Sequence, residues 1–399
     1  MALKCIHCKN NHDSESCPLW HKAQALIKVK NTVLKDSFYG SSPAPFIGRF
    51  GYPNVFVGIL APPELSEAAW LYDSPQYWAL KEYEIPELVS LRSSLINSRF
   101  QVNVNNSKAE KVMEVAQEIG MASKPVDVEV HLKKAPRFEV KIDPYTAPRG
   151  PGAELISAEI TSNSKIHTKV EKVVSDELKA QEAITLLYDK GFDENFLSKL
   201  LSVGSIGLNE NKRLVPTRWS ITATDDMLGK HLIKEIKNYS TYDYSAFFGD
   251  YLGNYYLILM FPDYWSYELF EIYTPTKSVS TDYEGFSGRT NYAEECAGGY
   301  YTVRLAVAEK LHEFKRQASI LVFRFITDEY LLPLGVWVTR EASRKAIMNK
   351  PIIFSSKELL LKYAKNVAIT KFGVNLDSLL KKSKLLEVAG KQVRLTQFM

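Results

Sequence analysis

The sequence predicts an α+β protein built of more than one domain, and three observations carry that reading. Strand-like and helix-like segments follow one another without the regular βαβ rhythm of a doubly wound sheet. Two apolar runs, 255–261 and 265–273, adjoin across Pro262-Asp263 as the arms of an antiparallel hairpin would. A Cys-rich start and a polar stretch at 274–291, TPTKSVSTDYEGFSGRTN, divide the chain into units. With 399 residues, 45% hydrophobic and 24% charged, the chain has apolar material for two or three cores and too much for a disordered protein.

Taken in order, 20–34 predicts a short basic helix and 40–45 (GSSPAP) a loop. A strand follows at 54–60, stopped by Ala61-Pro62-Pro63, and residues 99–104 alternate as a second strand. Ser107 and Glu110 form a capping box for a helix to about residue 119, and 126–132 is again strand-like. Two prolines and two glycines make 147–152 a turn, whereas 173–189 has helical periodicity closed by Gly191. Beyond 291 come a helix over 301–317, an apolar strand at 320–326, a strand at 335–339 leading into a helix, and a lysine-rich helical stretch after Ser355. The expected domains are a metal-binding module at 1–40, a large α+β domain at 41–280, a smaller α+β domain at 281–390 and a tail at 391–399.

Several function classes are excluded. The longest apolar run, 251–261, contains Gly253 and Asn254 and falls short of the roughly 20 residues a membrane span needs. The start MALKCIHCKNNH has no apolar signal core, which points to a cytoplasmic protein. No Walker loop, zinc-protease or kinase motif occurs, so an ATP-driven motor is not expected. A net charge of +4 suits solubility and weak attraction to phosphates equally well, and decides nothing.

Cys5, Cys8, Cys17 and His21 have the form C-x2-C-x8-C-x3-H, three thiolates and one imidazole, the set that closes a tetrahedral zinc shell. The x2 spacing brings two sulfurs to one ion, and the x3 spacing stacks Cys17 and His21 one helical turn apart. His7 and His12 are spare imidazoles in the same segment, and three thiolates are one too few for an all-cysteine iron–sulfur cluster. The expectation is one structural Zn2+, against free or disulfide-linked cysteines as the alternative. No catalytic residue is assigned.

Two segments, FIGRFGYPNV at 46–55 and RLVPTRWSITATDD at 213–226, hold more unusual residues than packing requires. In the second, Arg218 can grip phosphate, Trp219 can stack a base, and Asp225 or Asp226 can serve metal or proton chemistry. The alternative is that Thr224 caps a helix over 227–237 and the aspartates merely complement its dipole. Arg49 can join such a nucleotide site or hold its own Gly-rich turn. Cys296 is expected as a buried small residue, not a nucleophile.

At the other end, Gln392, Leu395, Phe398 and Met399 fit Q-x-x-h-x-x-a-a, the pattern by which chains dock on ring-shaped sliding clamps. In one tight helical turn residues three apart eclipse, so Leu395 and Phe398 form a two-pronged plug while Gln392 reaches a polar pocket. Burying the two prongs contributes roughly 3 to 6 kcal/mol before ordering costs. Met399 stands where an aromatic is usual, which weakens the grip. The alternative is a tail that packs back on its own domain. Lys381, Lys382, Lys384 and Lys391 just upstream are either a solvated face or a contact to DNA threaded through the clamp.

Together with GGYYTVRLAVAEKL at 298–311 and EYLLPLGVWVTRE at 329–341, these motifs make the chain resemble the archaeal Nre family over nearly its whole length. The resemblance implies a smaller C-terminal domain starting near Tyr283 and a role in the repair of damaged DNA. It implies the sliding clamp PCNA as partner, with DNA and other repair proteins, and assigns no reaction. The competing expectation is an enzyme acting on nucleotides or DNA ends, with Arg49, Arg218, Asp225 and Asp226 lining its site.

Overall fold

The computed structural model describes residues 3–4, 11–12, 17–32, 36–105, 111–136 and 148–391 of the chain. They form two compact units, Met1–Leu228 with Leu332–Gly335 and Gly229–Leu331 with Val336–Met399.

The first unit opens with a short antiparallel pair, β1 (Leu3–Lys4) and β2 (Asn11–His12), and a helix α1 (Pro18–Thr32) that starts on proline, whose fixed φ suits a first turn. Two strands follow where a loop was expected, β3 (Ser37–Ser42) and β4 (Ala44–Ile47), split only by Pro43. Their Gly, Ser and Pro content reflects close packing: a Cβ on Gly40 would lie 2.0 Å from the Pro62 carbonyl oxygen, and Ser42 Oγ donates to Leu60 O at 2.8 Å. Both are edge strands, where Pro45 costs no ladder bond. Next come β5 (Asn54–Ala61), helices α2 (Pro75–Leu80) and α3 (Ile85–Ser93), β6 (Ile96–Asn103), α4 (Lys111–Met121), β7 (Val126–Leu132) and β8 (Gly152–Ile160). Residues 106–110, with the expected capping box, lie outside the described residues.

The sheet order is β3-β7-β8-β6-β5-β4, antiparallel except for β6 beside β8. Alternation in β5 sends Val55, Val57, Ile59 and Ala61 inward at 0% exposure and leaves Phe56 outward at 40%. The inward row packs against Met113, Val115, Ala116 and Ile119 of α4. Fully burying each such side chain contributes about 1.5–3 kcal/mol, so α4 fixes which sheet face is core and which is open. The periodic run 173–189 is two helices, α5 (Thr168–Ser175) and α6 (Ala180–Tyr188), because Asp176 and Lys179 are extended between them. Then follow α7 (Glu194–Ser202) and α8 (Thr217–Ile236), inside which the two units divide.

The second unit is a three-layer arrangement. Its sheet is made of β9 (Ser245–Tyr251), β10 (Asn254–Phe261), β11 (Ser266–Tyr273) and β12 (Ser278–Glu284), completed by later strands. Helix α9 (Ala297–Phe314), β13 (Ser319–Ile326), α10 (Trp337–Met348), β14 (Ile352–Ile353), α11 (Lys357–Phe372), α12 (Asp377–Lys382) and α13 (Lys384–Lys391) follow. The expected hairpin does not form: the order β12-β11-β13-β10-β9-β14 places β13 between β10 and β11, parallel to the latter. Apolar adjacency along the chain marks strands but not their partners, and β13, buried along nearly its whole length, takes the central slot. Residues 335–339 are helical from Trp337, although Val336, Val338 and Thr339 are β-branched; Thr339 Oγ1 satisfies the Val336 carbonyl at 2.6 Å. Leu257, Leu259, Phe323 and Phe325 face α11 through Leu360, Ala364 and Ala368, while Tyr267 on the opposite face meets Tyr300 of α9 at 4.9 Å. Among the described residues no helix is long and apolar enough to cross a membrane.

Candidate functional site

The two unusual polar segments meet. Residues 48–53 connect β4 to β5 as a tight loop closed by Gly48 N donating to Phe56 O at 2.8 Å and Asn54 N donating to Gly51 O at 2.9 Å. Gly51 has φ +85°, and a Cβ there would meet Asn54 O at 2.7 Å, so the turn requires glycine. Val104 N donates to Pro53 O at 2.9 Å and Asn103 Nδ2 to Asn54 Oδ1 at 2.9 Å, which pins the loop to the end of β6. Thr217 Oγ1, at the start of α8, accepts from Ile47 N at 2.9 Å. That bond sets the first turn of α8 against the loop and brings the Trp219 indole 5.2 Å from the Tyr52 ring, tilted by 56°.

The rings around this junction are exposed: Phe50 67%, Tyr52 47%, Trp219 44% and Phe56 40%. Arginines lie against several of them. The Arg49 guanidinium sits 5.0 Å from the Phe50 ring, Arg99 5.0 Å from Phe56, and Arg149 5.2 Å from Phe46. Pairing explains the cluster, since Phe46, Gly58 and Arg99 are cross-strand neighbours on the open sheet face. Gly152 lies beneath Arg99, its would-be Cβ 3.5 Å from the Arg99 Cζ, so the guanidinium rests on bare backbone. Arg49, Arg99, Arg149 and Arg218 are all exposed, and Glu154, the register partner of Arg99 on β8, is paired with Lys133 at 2.9 Å. Flat rings interleaved with guanidinium groups are what stacked bases and their phosphates require.

The predicted nucleotide-site residues are divided by this geometry. Arg49, Arg218 and Trp219 belong to the exposed surface. Asp225 is fully buried two turns further along α8, and Asp226 is half-buried. Helix α8 begins at Thr217, so Thr224 is a buried mid-helix residue and not an N-cap; the capping account of the two aspartates is replaced. Phe50 and Tyr52 lie within the segment 46–55 that the sequence marks, without being assigned a role there, and Phe56, Arg99 and Arg149 carry no motif. The signal for Arg99 is its outward parity in an alternating strand, which names a face but not its neighbours.

The other two motifs make contacts within the second unit. In 298–311, a Cβ on Gly299 would meet Glu271 Oε1 at 2.6 Å, so glycine lets α9 approach the buried pair of Glu271 and Arg324, whose Nη1–Oε1 distance is 2.5 Å. In 329–341, Glu329 accepts from the Tyr255 hydroxyl at 2.8 Å. Cys296 is buried, as expected, and burial together with the nearby Glu271 pushes its thiol well above the ordinary range, which disfavours the thiolate.

Of the predicted zinc ligands, Cys17 is a buried free thiol directly before α1, and His21 lies one turn on, its N–H donating to Cys17 O at 3.2 Å. Cys5 and Cys8 lie outside the described residues, in the segment between the paired strands β1 and β2. Among the described residues no group of three or more His, Cys, Asp or Glu side chains is placed to hold a metal. The tail residues Gln392, Leu395, Phe398 and Met399 also lie outside the described residues.

Comparison with known proteins places the chain. Residues 12–279 match the family model described as archaeal Nre, N-terminal, and 284–398 match archaeal Nre, C-terminal, the two meeting within β12. A DNA repair protein NreB of Archaeoglobus fulgidus is 37% identical over 90% of this chain and 92% of its own. A DNA repair protein NreA of the same organism is 35% identical over 89% and 91%, and a DNA repair protein NreA of Haloferax volcanii is 36% identical over 80% of each. No solved structure matches.

Proposed function

This chain belongs to the archaeal Nre family, and from that premise we propose that it is a DNA repair protein that binds DNA on the arginine-and-aromatic face of its first unit and is tethered by its tail to the sliding clamp PCNA. The observation that carries the DNA-binding face is the Tyr52–Trp219 pair, two half-exposed rings from motifs far apart in sequence, beside Arg49 and Arg218. Unpaired bases can stack on these rings and on Phe50 and Phe56 while the guanidinium groups hold phosphates, a mode that tolerates any sequence. The tail supports the tether by its residue pattern, Gln392, Leu395, Phe398 and Met399. A closed zinc shell of Cys5, Cys8, Cys17 and His21 would staple an N-terminal segment too short for a core, and the turn spacing of Cys17 and His21 fits two of its four corners. Binding is favoured over catalysis on this face because, of its two carboxylate candidates, Asp225 is fully buried and Asp226 is half-buried.

The test is binding of a fluorescein-labelled single-stranded oligonucleotide to the full chain and to a Tyr52→Ala/Trp219→Ala variant. The double variant should bind at least about tenfold more weakly, given ~1–3 kcal/mol per stacked base. Equal affinities would remove DNA from this face.

A further inference from the structure

The second unit contains a cavity of about 550 Å³ between α8 and the loop that follows β12, with α9 behind it. Lys230, Lys234 and Lys237 line one wall at the i, i+4, i+7 spacing that stacks side chains on a single helix face. The opposite wall is the turn Gly285–Phe286–Ser287–Gly288, closed by Gly288 N donating to Gly285 O at 2.9 Å with Gly288 at φ +83°. Gly288 has open space where a Cβ would point.

Five cationic side chains line this cavity, Lys230, Lys234, Lys237, Arg289 and Arg304, against one carboxylate, Glu284. Glu284, its one lining carboxylate, is held by Arg304 at 2.9 Å and accepts from Trp265 Nε1 at 3.1 Å. Arg289 is spent on the loop itself: it pairs with Asp282 at 2.8 Å and donates to the carbonyls of Tyr283, Asn291 and Tyr292. The three lysines line the same space, where cationic side chains outnumber the carboxylate. Phe286 adds a flat surface, with its ring 49% exposed, the Lys237 ammonium 4.7 Å from its centroid and Tyr264 edge-on at 5.9 Å.

Clustered ammonium groups select an anion of more than one charge, and an exposed ring beside them selects a ligand with a flat π-system. From this juxtaposition we infer that the cavity of Lys230, Lys234, Lys237 and Phe286 binds a nucleoside phosphate, its base against Phe286 and its phosphate among the lysines. The same chemistry is presented by a free nucleotide and by the 5′-phosphorylated end of a DNA strand. The inference does not depend on the sheet face of the first unit.

The experiment titrates the full chain, by calorimetry, with dAMP, deoxyadenosine, inorganic phosphate, and a short single-stranded oligonucleotide with or without a 5′-phosphate. Each is repeated with Lys234→Gln/Lys237→Gln and with Phe286→Ala, after circular dichroism shows native folding. Expected is dAMP binding about tenfold or more tighter than either deoxyadenosine or phosphate, weakened about tenfold by the lysine pair. Phe286→Ala should weaken dAMP while leaving inorganic phosphate unchanged. If only the phosphorylated oligonucleotide gains affinity over its unphosphorylated twin, and loses it in the lysine variant, the ligand is the strand end; if dAMP matches it, the ligand is the free nucleotide. No binding of dAMP or of the phosphorylated strand at millimolar concentration, or binding unchanged in both variants, overturns the assignment.

Discussion

Arg304 of α9 and Glu284 of β12 are joined at 2.9 Å inside the second unit, with side chains only 2% and 1% exposed. Removing either partner leaves the other charged, buried and uncompensated, which typically costs about 3–5 kcal/mol. Glu284→Gln and Arg304→Met should therefore each lower the melting temperature of the second unit by roughly 6–15 °C. The double variant Glu284→Gln/Arg304→Met should recover part of that loss. Calorimetry decides it, and a single variant that melts with the wild type would show the pair to be energetically idle.

The arginines on the open face of the first unit are expected to act through phosphates. Arg49→Ala, Arg99→Ala and Arg218→Ala should each weaken DNA binding uniformly across sequences. Each should also reduce the slope of log affinity against log salt by roughly 0.7 for every single-strand phosphate no longer neutralised. Anisotropy titrations at several salt concentrations measure both. An unchanged slope in all three would remove phosphate contacts from these guanidinium groups and leave Arg49 and Arg99 only as covers for Phe50 and Phe56.

Deleting 392–399, or replacing Leu395 and Phe398 by alanine, should abolish binding to the sliding clamp without altering the melting profile. Surface plasmon resonance on immobilised clamp reads this directly, and undiminished binding by the truncated chain would end the tether proposal. Met399→Phe should tighten the grip, since it restores the aromatic usual at that position.

The zinc proposal predicts one equivalent of metal per chain by elemental analysis. Cys17→Ser and His21→Ala should lower that content, and a strong chelator should reduce helicity near the N-terminus, because metal binding there supplies folding free energy. Metal-free protein with full native helicity and stability would rule the site out.

Glu268 of β11 gives a pH signature. It accepts from Lys384 N at 3.0 Å and Leu385 N at 3.1 Å, and so holds the start of α13. Burial raises its carboxyl above the ordinary value, outweighing those bonds and the one from Ser383. The folded state therefore keeps this proton to higher pH than the unfolded chain does. Its contribution is fully present below the unfolded value and is lost as pH rises through the folded one. Urea unfolding from about pH 4 to pH 7 should show this fall in the wild type and not in Glu268→Gln, measured against the ordinary carboxylate value. Parallel profiles would count against it.

Much of the fold and little of the site was legible in the sequence. The strands expected at 126–132 and 320–326 and the lysine-rich helical stretch after Ser355 follow from periodicity that needs no partner to be recognised. Family membership was carried by long motifs, yet one of these serves packing: Gly299 is there so that α9 can approach Glu271 and Arg324. The pairing of β13 between β10 and β11 could not be read, because an apolar run does not encode its neighbour.

By itself, the sequence determined what local chemistry determines: the zinc-type spacing of Cys5, Cys8, Cys17 and His21, the clamp-type pattern from Gln392 to Met399, and the period of strands such as 126–132. Only the tertiary structure decided which polar residues form a surface. Trp219 meets Tyr52 because Thr217 docks on Ile47 across the fold, while Asp225 on the same helix turns into the core. Stacking and burial depend on distances between residues remote along the chain, and those distances are set by the packing of α8 and the sheet, not by the spacing of letters in either motif.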